Sequence, residues 1–137
     1  LNVTSIDELE VGQSATYERT VGEDDIVRFA EISGDDNPVH LDEEFAAKTL
    51  FKGRIAHGML AAAFISTTVG TKLPGYGCIY VSQSLKFRAP VRIGDTVTTT
   101  ATVKALDKER KRVTMETVCT IGDKVVVDGE AELMLTS

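Results

Sequence analysis

The chain has two histidines, His40 and His57. His40 closes the run Ser33-Gly34-Asp35-Asp36-Asn37-Pro38-Val39-His40, five residues after Asp35. Pro38 sets its own φ and biases Asn37 toward extended backbone. A loop of this kind can turn a carboxylate and an imidazole toward one water molecule. Both groups exchange protons near neutral pH. The pair therefore suits acid–base chemistry in which water loses one proton and carbon gains another. The same residues also read as an Asx-turn at Asp35 or Asn37, with His40 capping the helix that follows.

His57-Gly58 opens a long apolar run. Free N–H groups at a helix start favour developing negative charge, and a glycine there lets a ligand approach the backbone. A thioester carbonyl docked on the Gly58 N–H would have its enolate oxygen stabilised as it forms. The alternative is a packing glycine beside a capping histidine. Asp35, Asp36, His40 and Asp42 do not form a recognised zinc pattern, and no metal site is expected. No G-x-S-x-G elbow is present, which argues against a serine hydrolase. Cys78 and Cys119 do not make a disulfide framework, and neither has the neighbours of a nucleophile or a metal ligand. A reducing cytoplasm is the simplest setting for them.

Positioning such groups falls to the elements around them. Ser14 to Val21 alternates as a first strand. Gly22, or Thr20 with Glu23 as a capping box, starts a short helix whose first turn is Glu23-Asp24-Asp25, suited to the positive end of its dipole. Ile26, Phe29 and Ala30 share one face of that helix, and Gly34 supplies a left-handed stop. Asp42 is placed to cap a second short helix ending near Thr49. A third helix runs from about His57-Gly58 to about Lys72. Met59 to Ile65 leave it no polar face, so it must be surrounded by protein. From Ile79 the pattern is of strands: Ile79 to Phe87, Thr96 to Leu106, Val113 to Ile121, and Val125 to Leu135. Pro90, Gly94-Asp95, a turn at Asp107 to Arg110, and Gly122-Asp123 separate them. Short connections imply an antiparallel sheet, one face of which covers the apolar helix. The expected class is α+β, a curved sheet wrapped round one helix.

The 137 residues fit one domain, and apolar and charged fractions of 42% and 26% are those of an ordinary globular protein. A net charge of -6 makes nucleic acid an unsuitable partner. Asp7, Glu8 and Glu10 sit where a secretory signal would be basic and then apolar. Ile55 to Thr71 is too short and too rich in hydroxyls to span a membrane. Two basic groups, Lys108-Arg110-Lys111-Arg112 and Lys86-Arg88-Arg92, are equally placed to meet a ligand with several phosphates.

The run from Phe29 to Asp42, with its Asp-x-Asn-Pro-x-His core, resembles the hydratase-2 motif of the MaoC-like (R)-specific enoyl-CoA hydratases. Phe51 to Leu60, Ile79 to Phe87 with Gln83-Ser84-Leu85, and Phe87-Arg88-Ala89-Pro90-Val91 with Ile93-Gly94-Asp95 match in order. The resemblance covers nearly the whole chain. It implies a hot-dog fold, a single hot dog per chain, a homodimer and a thioester of coenzyme A as substrate, with coenzyme A part of the substrate and no separate cofactor. It further implies that Asp35 and His40 hold the catalytic water and that Gly58 supplies the oxyanion N–H. Asn37 would help fix the loop, and His57 is a further substrate-binding candidate. Ser66, Gln83 and Ser84 are candidates for lining the acyl tunnel. The product would be an (R)-3-hydroxyacyl thioester. An acyl carrier protein is the alternative carrier. A hot-dog thioesterase and a non-catalytic acyl-CoA-binding domain are the other readings.

Overall fold

The computed structural model describes residues 2–137. β1 (Ser14–Thr20) leads into α1 (Glu23–Ser33), two short helices α2 (Pro38–Leu41) and α3 (Glu43–Ala47), and the long α4 (Gly58–Thr71). β2 (Ile79–Gln83), β3 (Lys86–Phe87), β4 (Thr96–Asp107), β5 (Arg112–Ile121) and β6 (Lys124–Met134) follow. The sheet runs β1-β4-β5-β6-β2, with β3 also on β6, and every pair is antiparallel. It is the hot-dog arrangement: one face of the sheet closes over α4.

Local chemistry accounts for the helix ends. Gly22 is the N-cap of α1, and its N–H donates to the Asp25 carboxylate at 3.0 Å. The alternative Thr20–Glu23 box does not form, because Thr20 belongs to β1 and its hydroxyl meets that of Thr96 at 2.7 Å. Gly34 ends α1 at φ 81°, a conformation that costs glycine little. The Asp42 carboxylate caps α3 through the Phe45 N–H. The segment Pro38–Leu41, expected as loop, is a turn of helix with proline at its start, where the missing N–H is harmless.

Leu60, Phe64, Ile65 and Val69 of α4 are buried against alternating inward residues of the sheet: Val97 and Val103 of β4, Met115 and Cys119 of β5, Val127 and Leu133 of β6. In β6 the alternation shifts at a bulge. Cys119 pairs with Val127 but Thr120 pairs with Val125, so Val126 turns inward where Val125 was expected.

Two expectations fail on one side of the molecule. First, α4 is not surrounded: Met59, Ala63 and Ser66 are exposed within the chain. Second, Ile79 to Phe87 is not one strand with a buried face. It breaks at Ser84-Leu85, and Ile79 and Val81 are 44% and 45% exposed. β2 is an edge strand of the sheet. Alternation in sequence marks a strand with two unlike faces, but it does not say which chain covers the apolar one.

Candidate active site

The Ser33–Asn37 loop is held almost atom by atom. The Asp35 N–H donates to Ser33 Oγ at 3.1 Å. Asp35 Oδ1 accepts from the Asn37 N–H at 3.3 Å, and Asn37 Oδ1 accepts from the Val39 N–H at 3.2 Å. Both Asx-turns foreseen as an alternative to chemistry are therefore present, and Asn37 fixes the loop as its helix cap. They engage only one oxygen of Asp35. Oδ2 carries no hydrogen bond among the described residues, and the side chain lines a cavity of about 510 Å³.

His40 does not cap a helix through its ring. It is 7% exposed, and its Nδ1 lies 2.8 Å from the Ile55 carbonyl oxygen. A carbonyl only accepts, so Nδ1 carries the hydrogen and Nε2 is left with a lone pair. Arg54 secures the same turn. Its Nε donates to the His40 carbonyl at 2.7 Å, while its two terminal nitrogens grip Glu23 of α1 at 2.8 and 3.1 Å. One carboxylate oxygen of Asp35 and one ring nitrogen each of His40 and His57 lie within 4.8 Å of one another. The two imidazoles are stacked, with centroids 3.8 Å apart and planes 26° from parallel. Lone pairs lie in the ring planes, so stacked rings do not converge well on one metal ion.

His57 is the N-cap residue of α4, without a side-chain capping bond. Gly58 follows with its N–H among the free donors of the helix start, and it lines the same cavity as Asp35. A Cβ placed on Gly58 would sit 2.8 and 2.9 Å from two ring carbons of Phe87. Gly58 thus packs against a ring, and its N–H has no hydrogen-bond partner among the described residues. Gly58→Ala is expected to push Phe87, itself 55% exposed, into the cavity mouth. Turnover of an enoyl thioester should fall by roughly tenfold to a hundredfold from misplacement of the carbonyl, with little change in melting temperature. Adding Phe87→Ala should restore part of the loss in a double-mutant cycle.

The remaining candidates separate. Ser66 and Gln83 line a second, open groove of about 520 Å³ with Ala62, Ala63, Tyr80 and Val81, and Met59 belongs to both hollows. Partial burial pushes the Tyr80 phenol up to about 12, so it stays protonated, and it donates to Gln83 Oε1 at 2.5 Å. Ser84 lines neither hollow. Its hydroxyl is taken up by the Glu130 backbone, from whose N–H it accepts at 3.0 Å. Of the basic groups, Arg88 lines the same cavity as Asp35 and pairs with Asp128 at 2.7 Å, while Arg92 donates to the Phe51 carbonyl. The 108–112 turn lines neither hollow. Burial pushes the Cys78 and Cys119 thiols up, which suits neither to attack as a thiolate. Two residues escaped the sequence reading. Arg54 and Phe87 carry no signal of their own, since each acts through a contact with chain distant in sequence.

A sheet closed over one helix, with a carboxylate and an imidazole set beside that helix's first N–H, defines a hot-dog protein of the kind that handles acyl thioesters. A family model described as "MaoC like domain" matches residues 7–126, and the chain belongs to this family. It is 57% identical over 129 residues to the (R)-specific enoyl-CoA hydratase of Rhodospirillum rubrum, covering 94% of this chain and 90% of that one. It is 50% identical over 131 residues to a 3-hydroxybutyryl-CoA dehydratase of Methylorubrum extorquens, covering 96% and 83%. Among solved structures, the unliganded R-hydratase PhaJ1 of Pseudomonas aeruginosa superposes with a TM-score of 0.91 at 48% identity, covering 97% of this chain and 86% of that one.

Proposed function

We propose that the chain adds water to trans-2-enoyl-CoA to give (R)-3-hydroxyacyl-CoA, reversibly, with Asp35 and His40 as its acid–base pair. The observation that carries this reading is that a carboxylate with a free oxygen and the open N–H of Gly58 meet at one cavity, with the His40 imidazole, its Nε2 free, beside that carboxylate.

Asp35 Oδ2 and His40 Nε2 are both acceptors. A water between them donates one O–H to each and turns a lone pair toward the β-carbon. As the new C–O bond forms, the alkene electrons move to the thioester oxygen, where the Gly58 N–H meets the negative charge. Asp35 takes the proton that water loses, while His40 orients and polarises the water. The enolate then collapses, and the α-carbon receives that proton on the face where oxygen was added. Atoms and charge balance with no separate cofactor or metal, and coenzyme A enters as part of the substrate. The (R) hand is that in the names of the relatives.

Hydration of crotonyl-CoA followed by chiral analysis of the product tests the reading. The (R)-3-hydroxy thioester is expected. Release of free thiol with the alkene intact would instead mark a thioesterase. Presenting the same acyl group on acyl carrier protein tests the carrier, and a strong preference for it would move the assignment to a carrier-protein dehydratase.

The working unit is a homodimer. Met59 and Ala63 on the exposed flank of α4 share an open groove with Val81 of the β2 edge, and a second copy of this face would cover it. Sedimentation is expected to give the mass of two chains, whereas a monomer at micromolar concentration would refute the pairing. No helix among the described residues is long and apolar enough to cross a membrane, and the cytoplasm is the proposed setting.

A further inference from the structure

We infer that His57 is a positioning residue that holds Asp35 and His40 in register through its hydrogen bond to the Asp35 backbone. This rests on the reading of Asp35 and His40 as the acid–base pair.

His57 is 3% exposed and borders the cavity beside Asp35 and Gly58. Its Nε2 lies 2.9 Å from the Asp35 carbonyl oxygen, 22 residues away in sequence. That oxygen only accepts, so Nε2 bears the hydrogen and Nδ1 bears a lone pair. Nδ1 is buried and has no partner among the described residues. Two rings pack against the imidazole. One face is stacked on His40 at 3.8 Å. Phe29 of α1 lies against the ring with centroids 4.9 Å apart.

Three consequences meet in this one residue. The Asp35 carbonyl is anchored, and with it the Cα that carries the carboxylate. His40 has a flat neighbour that limits its tilt while Ile55 holds its Nδ1. The backbone of His57 also sets the start of α4, and so the direction of the Gly58 N–H. Acid–base pair and oxyanion donor are thus fastened to one another through a single residue.

Two substitutions separate the bond from the shape. His57→Gln retains an N–H where Nε2 stood, and His57→Phe retains a flat ring without the donor. With crotonyl-CoA, His57→Phe is expected to lose roughly tenfold to a hundredfold in kcat, with KM changed by less than about threefold. His57→Gln should recover most of that loss. Nitrogen-15 correlation spectra of the intact protein supply a readout independent of turnover. They should show His57 as the neutral Nε2–H tautomer, and the Asp35 amide resonance should move in His57→Phe and return in His57→Gln. An Nδ1–H tautomer, an unmoved Asp35 amide, or a folded His57→Phe with full kcat would overturn the inference. A wild-type protein without hydratase activity would count against the proposed reaction, and the spectra would still decide whether His57 holds Asp35.

Discussion

Asp35→Asn is expected to cut crotonyl-CoA hydration by about 10²–10⁴-fold, the usual worth of a positioned acid–base group. The amide keeps the bond that Oδ1 accepts from the Asn37 N–H, so the loop holds its shape. What is lost is the ability to take a proton from water and return it to carbon. His40→Gln should fall by a similar factor, because the Nε2 lone pair that receives the second O–H of the water is gone. The two groups act on one water, so the double variant should be little slower than either single one. Initial rates followed by loss of the enoyl absorbance, beside thermal melts of each variant, check this. Wild-type turnover by both folded variants would remove the site assignment.

Gly129→Ala should have the largest effect on the fold. A Cβ at that position would overlap the Ser84 carbonyl, a backbone group that cannot rotate away. The kink between β2 and β3 is built around this contact. The Ser84 N–H donates to the Glu130 carbonyl at 2.9 Å. Gln83 Nε2 donates both to the Ser84 carbonyl and to Thr117 Oγ1, each at 2.9 Å. Relieving the overlap means moving β2 off β6 or giving up those bonds. A cost of about 3 kcal/mol is expected, or a melting temperature lower by about 10 °C at fixed protein concentration. Gly70→Ala in α4 is the control. A Cβ there meets nothing within 4 Å, and the change should be neutral or stabilising by up to about 1 kcal/mol. An unchanged melting temperature for Gly129→Ala would show that the kink is loose.

What could be read from the sequence divides along a physical line. The Gly34 stop, the Asp42 cap and the Gly22 start each depend on atoms within four residues, so their residue types announce them. The sheet is legible because inward and outward residues alternate along each strand. The break at Ser84 is not, because it depends on a glycine 45 residues later in β6. Of the tunnel candidates, Ser66 and Gln83 line a groove and Ser84 does not, because a polar side chain in a strand is equally at home on a ligand and on a neighbouring backbone, as Ser84 is on Glu130. The site shows the same division. Asp35 and His40 stand out by spacing and residue type, and Gly58 by its place before an apolar helix. The Ile55 carbonyl that sets the tautomer of His40, the Arg54 fork and the bond from His57 are tertiary facts. The exposed flank of α4 lies further off still, since covering it calls for another chain.

The fastening of the Asp35–His40 segment has a consequence for how the protein fails. Asp35 to Pro38 are exposed, and the loop is tied down by single hydrogen bonds and by the Arg54–Glu23 pair, not by apolar burial. Such ties open locally at far less free energy than the sheet and α4 need to come apart. Catalysis and architecture are then separate cooperative units within one chain. As denaturant rises, turnover would vanish while the strands still read as native, and it would return as soon as the loop closed again.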